Sequence, residues 1–229
     1  MKTICVIQHT EAEYLGLIED HFEGRNIRFA YKRPFTHGGT LPASPDGFDG
    51  LILLGGGPYG LVSGHLLPSA GHELRLTRAF LDAGLPVVGI ELGAVILSTA
   101  AGGGAEEAPL RFEVTRAHTT RPDALGGMLP ESFPIAAYLR DRPVPPKDAE
   151  IFATAENGEA AIFGIGANSV GFLGHPGAKR GMMEDLIMEF ADTPEDVATS
   201  LRLLGDVQAE LAEALTGLMV GLSRHSGLM

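Results

Sequence analysis

The strongest constraint in this sequence is an alternation. Short apolar, β-branched runs are each followed by a stretch whose apolar residues recur at helical spacing. Residues 3–8 (TICVIQ) form the first run, and Leu15, Ile18 and Phe22 share one helical face behind it. Residues 27–31 alternate as a second strand, and residues 50–54 form a third that runs into Gly55-Gly56-Gly57-Pro58. Residues 85–90 form a fully apolar fourth strand ending at Glu91. Helical spacing marks residues 69–83, through Leu74, Phe80 and Leu81, and residues 92–101 look helical as well. Strands alternating with helices require right-handed crossovers and a mostly parallel sheet covered on both faces.

After Gly104 the character changes to short strands separated by turns, around residues 112–115, 135–138, 150–154, 160–163 and 169–173, before helix resumes at about residues 179–191. Glycines and prolines are spread through this half rather than gathered, so no linker and no second independent domain is expected. The predicted class is therefore α/β, a mostly parallel sheet flanked by helices and completed by antiparallel strands. A chain of 229 residues can bury enough surface to be stable without disulfide or metal. Its one cysteine, Cys5, cannot form an internal bridge and reads as a buried structural thiol.

The tail has its own pattern. Thr193, Pro194, Glu195 and Asp196 make a helix start. From there Val197, Leu201, Leu204, Gln208, Leu211, Leu215, Leu218 and Leu222 fall at alternating spacings of four and three. Only Gln208 interrupts the seam, as a register-fixing residue in paired helices would. Two readings follow: the helix packs on its own domain, or it pairs with a second copy in a homodimer. Gly205, Gly217 and Gly221 weaken the expectation of an uninterrupted helix by roughly 1 kcal/mol each.

Charge narrows the function. Seventeen Lys and Arg against 29 Asp and Glu give −12, which opposes a phosphate-backbone partner, so no nucleic-acid role is expected. No apolar run reaches membrane-spanning length, and the start moves straight from a short apolar run into acids, unlike a signal peptide. No membrane partner and a cytoplasmic location are the expectations.

In open parallel sheets ligands collect beyond the carboxyl ends of the strands. Two such ends are distinctive here. Gly55, Gly56 and Gly57 let backbone amides approach a cavity, as an oxyanion site requires, although a tight turn would use the same residues. Val88-Gly89-Ile90-Glu91-Leu92-Gly93 turns abruptly from apolar strand to helix around one polar residue, the pattern of a nucleophile elbow.

In these segments, and in Gly171-Phe172-Leu173-Gly174-His175-Pro176, the chain resembles the class I glutamine amidotransferase superfamily, the domains that release ammonia from glutamine. The resemblance runs over roughly residues 1–190 and implies a flavodoxin-like three-layer sandwich. It divides the chain into an amidotransferase-like domain, 1–191, and a C-terminal helical extension, 192–229. It also implies that Gly57 and Leu92, with Gly56 beside them, supply the oxyanion-hole amides, that Glu91 occupies the nucleophile position, and that His175 occupies that of the general base.

Two departures bear on activity. The family places Cys where this chain has Glu91, and His-Pro-Glu where it has His175-Pro176-Gly177. A cysteine triad needs the thiolate and a carboxylate that holds the His tautomer. Hydrolysis through a γ-glutamyl thioester is therefore not expected. Glu91 could act as a base activating water with His175, as a nucleophile through an acyl anhydride, as a metal ligand with His175, or as half of a structural ion pair. Two function classes follow. One is a hydrolase of a γ-glutamyl or other small amide. The other is a catalytically inactive homologue that binds an amide or amino-acid-like ligand, or regulates a partner synthetase on another chain. No cofactor or metal is expected.

The remaining polar candidates are weaker. His9 follows the first strand and reads as an ordinary polar loop residue, with a place bordering the same crevice as the alternative, and His118, His21, His65 and His72 read as ordinary loop or helix residues. Arg140 and Asp141 read as solvated surface, with substrate contact as the alternative, and Lys179 with Arg180 as a small basic spot. Glu184 or Asp185 could replace the lost orienter if their helix folds back.

Overall fold

The computed structural model describes residues 1–228. Its centre is a nine-stranded sheet. In chain order the strands are β1 (Thr3–Ile7), β2 (Arg28–Lys32), β3 (Gly50–Leu53), β4 (Tyr59–Gly60), β5 (His65–Leu66), β6 (Val87–Ile90), β7 (Gly104–Glu106), β8 (Arg111–Thr119), β9 (Ser132–Leu139), β10 (Arg142–Val144), β11 (Glu150–Ala155), β12 (Ala160–Ile165) and β13 (Ser169–Phe172). The helices are α1 (Ile18–Glu23), α2 (Ala70–Asp82), α3 (Leu92–Ala100), α4 (Arg180–Glu189) and α5 (Val197–His225). The sheet order is β2-β1-β3-β6-β13-β12-β11-β8-β9. Pairing is parallel from β2 to β13 and antiparallel from β13 to β9. The change of character after Gly104 is thus the change from parallel core to antiparallel wing, with β13 alone returning to pair parallel with β6.

Alternation along the strands assigns the two faces. Ile4 and Val6 of β1 join Ile52, Val88 and Ile90 in a core with Ile18 and Phe22 of α1 and Leu215, Leu218, Met219 and Leu222 of α5. Cys5 and Ile7 join Leu51 and Leu53 in the opposite core with Leu76 and Phe80 of α2 and Ile96 and Leu97 of α3. A third cluster, around Phe112, Tyr138, Met182, Met183, Leu186, Leu204 and Leu211, fixes α4 and the start of α5 on the antiparallel wing.

Two details depart from the sequence reading. The first helix is short, because the chain from Leu15 to Leu17 is held as a loop by Gly177, whose carbonyl accepts the Leu17 amide at 3.0 Å. Gly16 has φ +63°, and a Cβ there would collide with that same carbonyl. Two small ribbons, β4 with β5 and β7 with β10, also lie outside the expected strands. In the tail, α5 is continuous through its three glycines. Its leucine seam is covered by its own domain, and Gln208 bonds within the chain, Nε2 donating to the Ala178 carbonyl (2.9 Å) and Oε1 accepting from the Arg180 amide (3.0 Å). No helix among the described residues is long and apolar enough to cross a membrane.

Candidate functional site

The expected elbow is present. Glu91 sits between β6 and α3 with φ 53° and ψ −113°, a conformation non-glycine residues rarely adopt and one that active-site turns often impose. The turn closes because the Gly93 amide reaches the Leu54 carbonyl at 3.1 Å, an approach that a side chain on Gly93 would block against the Leu53 carbonyl. Gly56 lies against the Leu92 side chain, so the glycine loop and the start of α3 are in contact, as their expected joint role requires.

The occupant of this arrangement is one the sequence motifs do not signal. The Gly57 amide donates to Glu13 Oε2 at 2.5 Å, so the expected oxyanion donor already holds a carboxylate of the chain itself. Glu13 lies in the loop between β1 and α1. Glu91 Oε1 accepts the Tyr138 amide at 2.7 Å. The other two carboxyl oxygens, Glu13 Oε1 and Glu91 Oε2, are enclosed without a separate donor and meet over Gly55, where a Cβ would collide with both. Both residues are fully buried. Burial raises Glu13 to about 7, against the opposing pull of its hydrogen bonds. Burial and the facing Glu13 hold Glu91 well above the usual carboxylate range.

The loop carrying Glu13 is braced from several sides. Glu189, at the end of α4, accepts the amides of Glu11 and Ala12 at 3.0 Å each. Thr10 Oγ1 accepts the Glu13 amide at 3.1 Å, and Gln8 Nε2 donates to the carbonyls of Thr10 and Glu11.

His175 is buried, at 1% exposure, but its ring is committed elsewhere. Nε2 donates to the Tyr14 carbonyl at 2.8 Å, and Nδ1 accepts the Gly177 amide at 3.1 Å. Two backbone groups therefore fix a neutral tautomer, and burial lowers the imidazole to about 4. No ion pair or hydrogen bond joins Glu91 to His175 among the described residues, so the structure brings Glu91 to Glu13 rather than to His175. A Cβ at Gly177 would press on the Leu15 carbonyl and Ile18, which makes the missing Glu of the His-Pro-Glu pattern part of how the β1–α1 loop packs.

His9 is not an ordinary loop residue. It is buried, with Nδ1 2.9 Å from the Gly55 carbonyl and Nε2 2.7 Å from Glu73 Oε2. Ser69 Oγ donates to the other Glu73 oxygen at 2.6 Å. A signal for Glu73 exists in the sequence: with Leu76, Thr77 and Phe80 it lies on the buried face of α2, and an acid on such a face needs a partner. On the open side of His9, a cleft of ≈ 250 Å³ is lined by Phe35, Tyr59, Leu67 and Ser69.

Asp141 is not solvated surface. It is fully buried, and its Oδ2 accepts the amides of Leu61 (2.7 Å), Val62 (2.9 Å) and Ser63 (3.3 Å). Arg140 is also committed, donating from Nε to the Pro58 carbonyl and from Nη2 to Asp192. Arg180 pairs with Glu184 on the exposed face of α4, and neither reaches His175. Among the described residues no group of three or more His, Cys, Asp or Glu is arranged to hold a metal.

No protein-family model matches the sequence. No curated protein matches it at significant sequence similarity. Solved structures do. The chain is similar to a glutamine amidotransferase from Thermotoga maritima, at 23% identity and a TM-score of 0.83, over 98% of each chain. It is similar to a glutamine amidotransferase from Methylobacillus flagellatus at 21% identity and a TM-score of 0.83, over 98% of this chain and 95% of that one. A protein from Thermoplasma acidophilum described as a putative GMP synthase component matches at 18% identity and a TM-score of 0.60, over 92% of this chain and 98% of that one. What these likenesses define is a fold. The chain has the glutamine amidotransferase-like fold, a parallel core with antiparallel strands and a long C-terminal helix, and the match extends over nearly its whole length.

Proposed function

We propose that this protein is a catalytically inactive glutamine amidotransferase homologue that acts by binding, either an amide or amino-acid-like ligand or a partner synthetase on another chain. The observation that carries the reading is the occupation of the Gly57 amide by Glu13. An oxyanion hole stabilises charge only if its donors are free to meet the developing oxyanion. With that donor engaged, Glu91 fully enclosed and both His175 nitrogens bound to backbone, Gly57, Glu91 and His175 are tied to one another's neighbours or to the main chain. Direct hydrolysis, with Glu91 and His175 activating water, needs these two groups to meet a common solvent molecule. The cleft beside His9 is lined by Tyr59, just past the glycine loop, and is the site where a small ligand would lodge.

The test is ammonia release from glutamine and from small γ-glutamyl amides by the purified protein, beside Glu91→Gln. The expected result is no turnover above the variant. Turnover that Glu91→Gln removes would overturn the reading and restore the hydrolase. A shift in melting temperature with amino-acid amides, lost when Tyr59 is replaced by Ala, would locate the ligand in the His9 cleft.

A further inference from the structure

The buried pair at the elbow has a property that does not depend on which function it serves. Glu13 and Glu91 each receive one backbone amide, from Gly57 and Tyr138, and each turns its remaining oxygen toward the other. Among the described residues no Lys or Arg pairs with either. Two carboxylates cannot both be charged this close in an enclosed site. The pairing closes only if one proton lies between them.

We propose that Glu13 and Glu91 share a single proton, and that this proton is a latch holding the β1–α1 loop over the elbow. When it passes to solvent base the two carboxylates repel, Glu13 withdraws with its loop, and the Gly57 amide is freed for an incoming anion. Glu13 is the mobile partner. Glu91 is pinned by the strained turn between β6 and α3, whereas Glu13 lies in a segment braced by hydrogen bonds rather than by regular structure. The Tyr138 hydroxyl, buried and without a partner, is influenced by both carboxylates and offers an alternative donor as the pair opens.

The other charged groups facing the pair set its range. From the β1 side, His9 favours an ionised Glu13, and Glu73 on α2 largely neutralises His9. From α4, Glu189 opposes ionisation of Glu13. Asp192, beyond α4, acts on Tyr138. Burial lifts Glu13 to about 7 in the closed loop, and the proton that then remains is the one Glu91 holds against it, well above the usual carboxylate range. Above pH 7, where only this proton remains to be lost, opening should become roughly tenfold easier per pH unit.

Hydrogen exchange of the Gly57 amide and of residues 10–15, corrected for the intrinsic rate, tests this on the full chain between pH 5 and 9. The expected result is a protection factor for Gly57 that falls by about tenfold per unit from pH 7 to 9 in the wild type. Glu91→Gln donates from its own amide to Glu13 at every pH and should make the profile flat above pH 7. If that variant fails to fold, Glu13→Gln serves, and the protonated-carboxyl stretch in infrared difference spectra reads the shared proton directly. Constant protection above pH 7 in the wild type, or a fall there that persists in the folded Gln variant, would overturn the latch. Neither result alters the ammonia measurement that tests catalytic inactivity.

Discussion

His9 Nε2 lies 2.7 Å from Glu73 Oε2, with both side chains fully enclosed, and His9 Nδ1 faces the Gly55 carbonyl at 2.9 Å. Both partners are acceptors, so both ring nitrogens must donate and His9 is an imidazolium. Burial alone would lower its pKa, but the Glu73 charge and hydrogen bonds outweigh that and raise it. Burial likewise pushes Glu73 up, and His9 pulls it below its ordinary value. Breaking such a pair by Glu73→Gln strands a buried charge and should cost about 3–5 kcal/mol in urea unfolding.

The same pair sets a pH dependence with a definite sign. Because folding raises the His9 value, its contribution is complete below the ordinary 6.5 and is lost as pH rises through the folded value. Because folding lowers the Glu73 value, its contribution is complete above 4.5 and is lost as pH falls through the folded value. The stability gap between wild type and Glu73→Gln should therefore be widest between about pH 4.5 and 6.5 and narrow on both sides. A gap that is constant from pH 4 to 9 would contradict the imidazolium assignment.

Restoring the family's nucleophile should not restore its chemistry. A thiol at position 91 would lie in a closed site beside the Glu13 carboxyl, with the Gly57 amide taken and no free imidazole nitrogen. Burial and a neighbouring negative charge raise a thiol's pKa, so little reactive thiolate would form. Glu91→Cys is expected to release no ammonia from glutamine and to form no covalent adduct with a glutamine-analogue electrophile. Cys5 does not confuse the labelling: it is fully buried and its thiol is pushed up to about 12.

Much of this molecule is legible in order along the chain. The strand ends at Gly55 and Glu91 and the switch after Gly104 all rest on local patterning, and patterning survives without knowledge of partners. The Glu13–Glu91 pair is not legible, because it joins a loop to a turn 78 residues away and neither side carries a periodic signal. The role expected of His175 fails for a related reason. Its residue type and neighbours match the family, but its ring is claimed by the carbonyl of Tyr14, which only the folded loop brings to it. The α5 seam illustrates the converse: the sequence shows that one face must be covered, and two candidate covers satisfy the same spacing until the sheet is in place.

The glycines of α5 separate packing from propensity. Gly221 rests against the Leu125 carbonyl, and a Cβ there would also press on Leu125 and Met128 side-chain atoms at 2.9 and 3.1 Å. Gly205 meets only the flexible end of Arg180, at 3.3 Å. Gly205→Ala is expected to stabilise by roughly 0.5–1 kcal/mol through helix propensity. Gly221→Ala should instead destabilise by about 1–3 kcal/mol, because the gain in propensity is smaller than the overpacking. Thermal unfolding of the two variants should move in opposite directions.

Asp141 offers the sharpest test of how the loop around the His9 cleft is held. Its buried carboxylate accepts three successive amides, Leu61, Val62 and Ser63, and also the Ser63 hydroxyl. It does so from φ +63°, a conformation that Asp and Asn tolerate better than other side chains. Asp141→Ala removes the acceptor and leaves a residue poorly suited to that backbone, so a loss of at least about 3 kcal/mol is expected. Asp141→Asn keeps the shape, the left-handed preference and one acceptor oxygen, and should cost about half as much. Exchange protection of the Leu61 and Val62 amides should fall in the order wild type, Asn, Ala. Equal losses in the two variants would mean that the ionised carboxylate alone holds the loop beside Tyr59, and no loss in Asp141→Asn would mean that shape and backbone preference hold it instead.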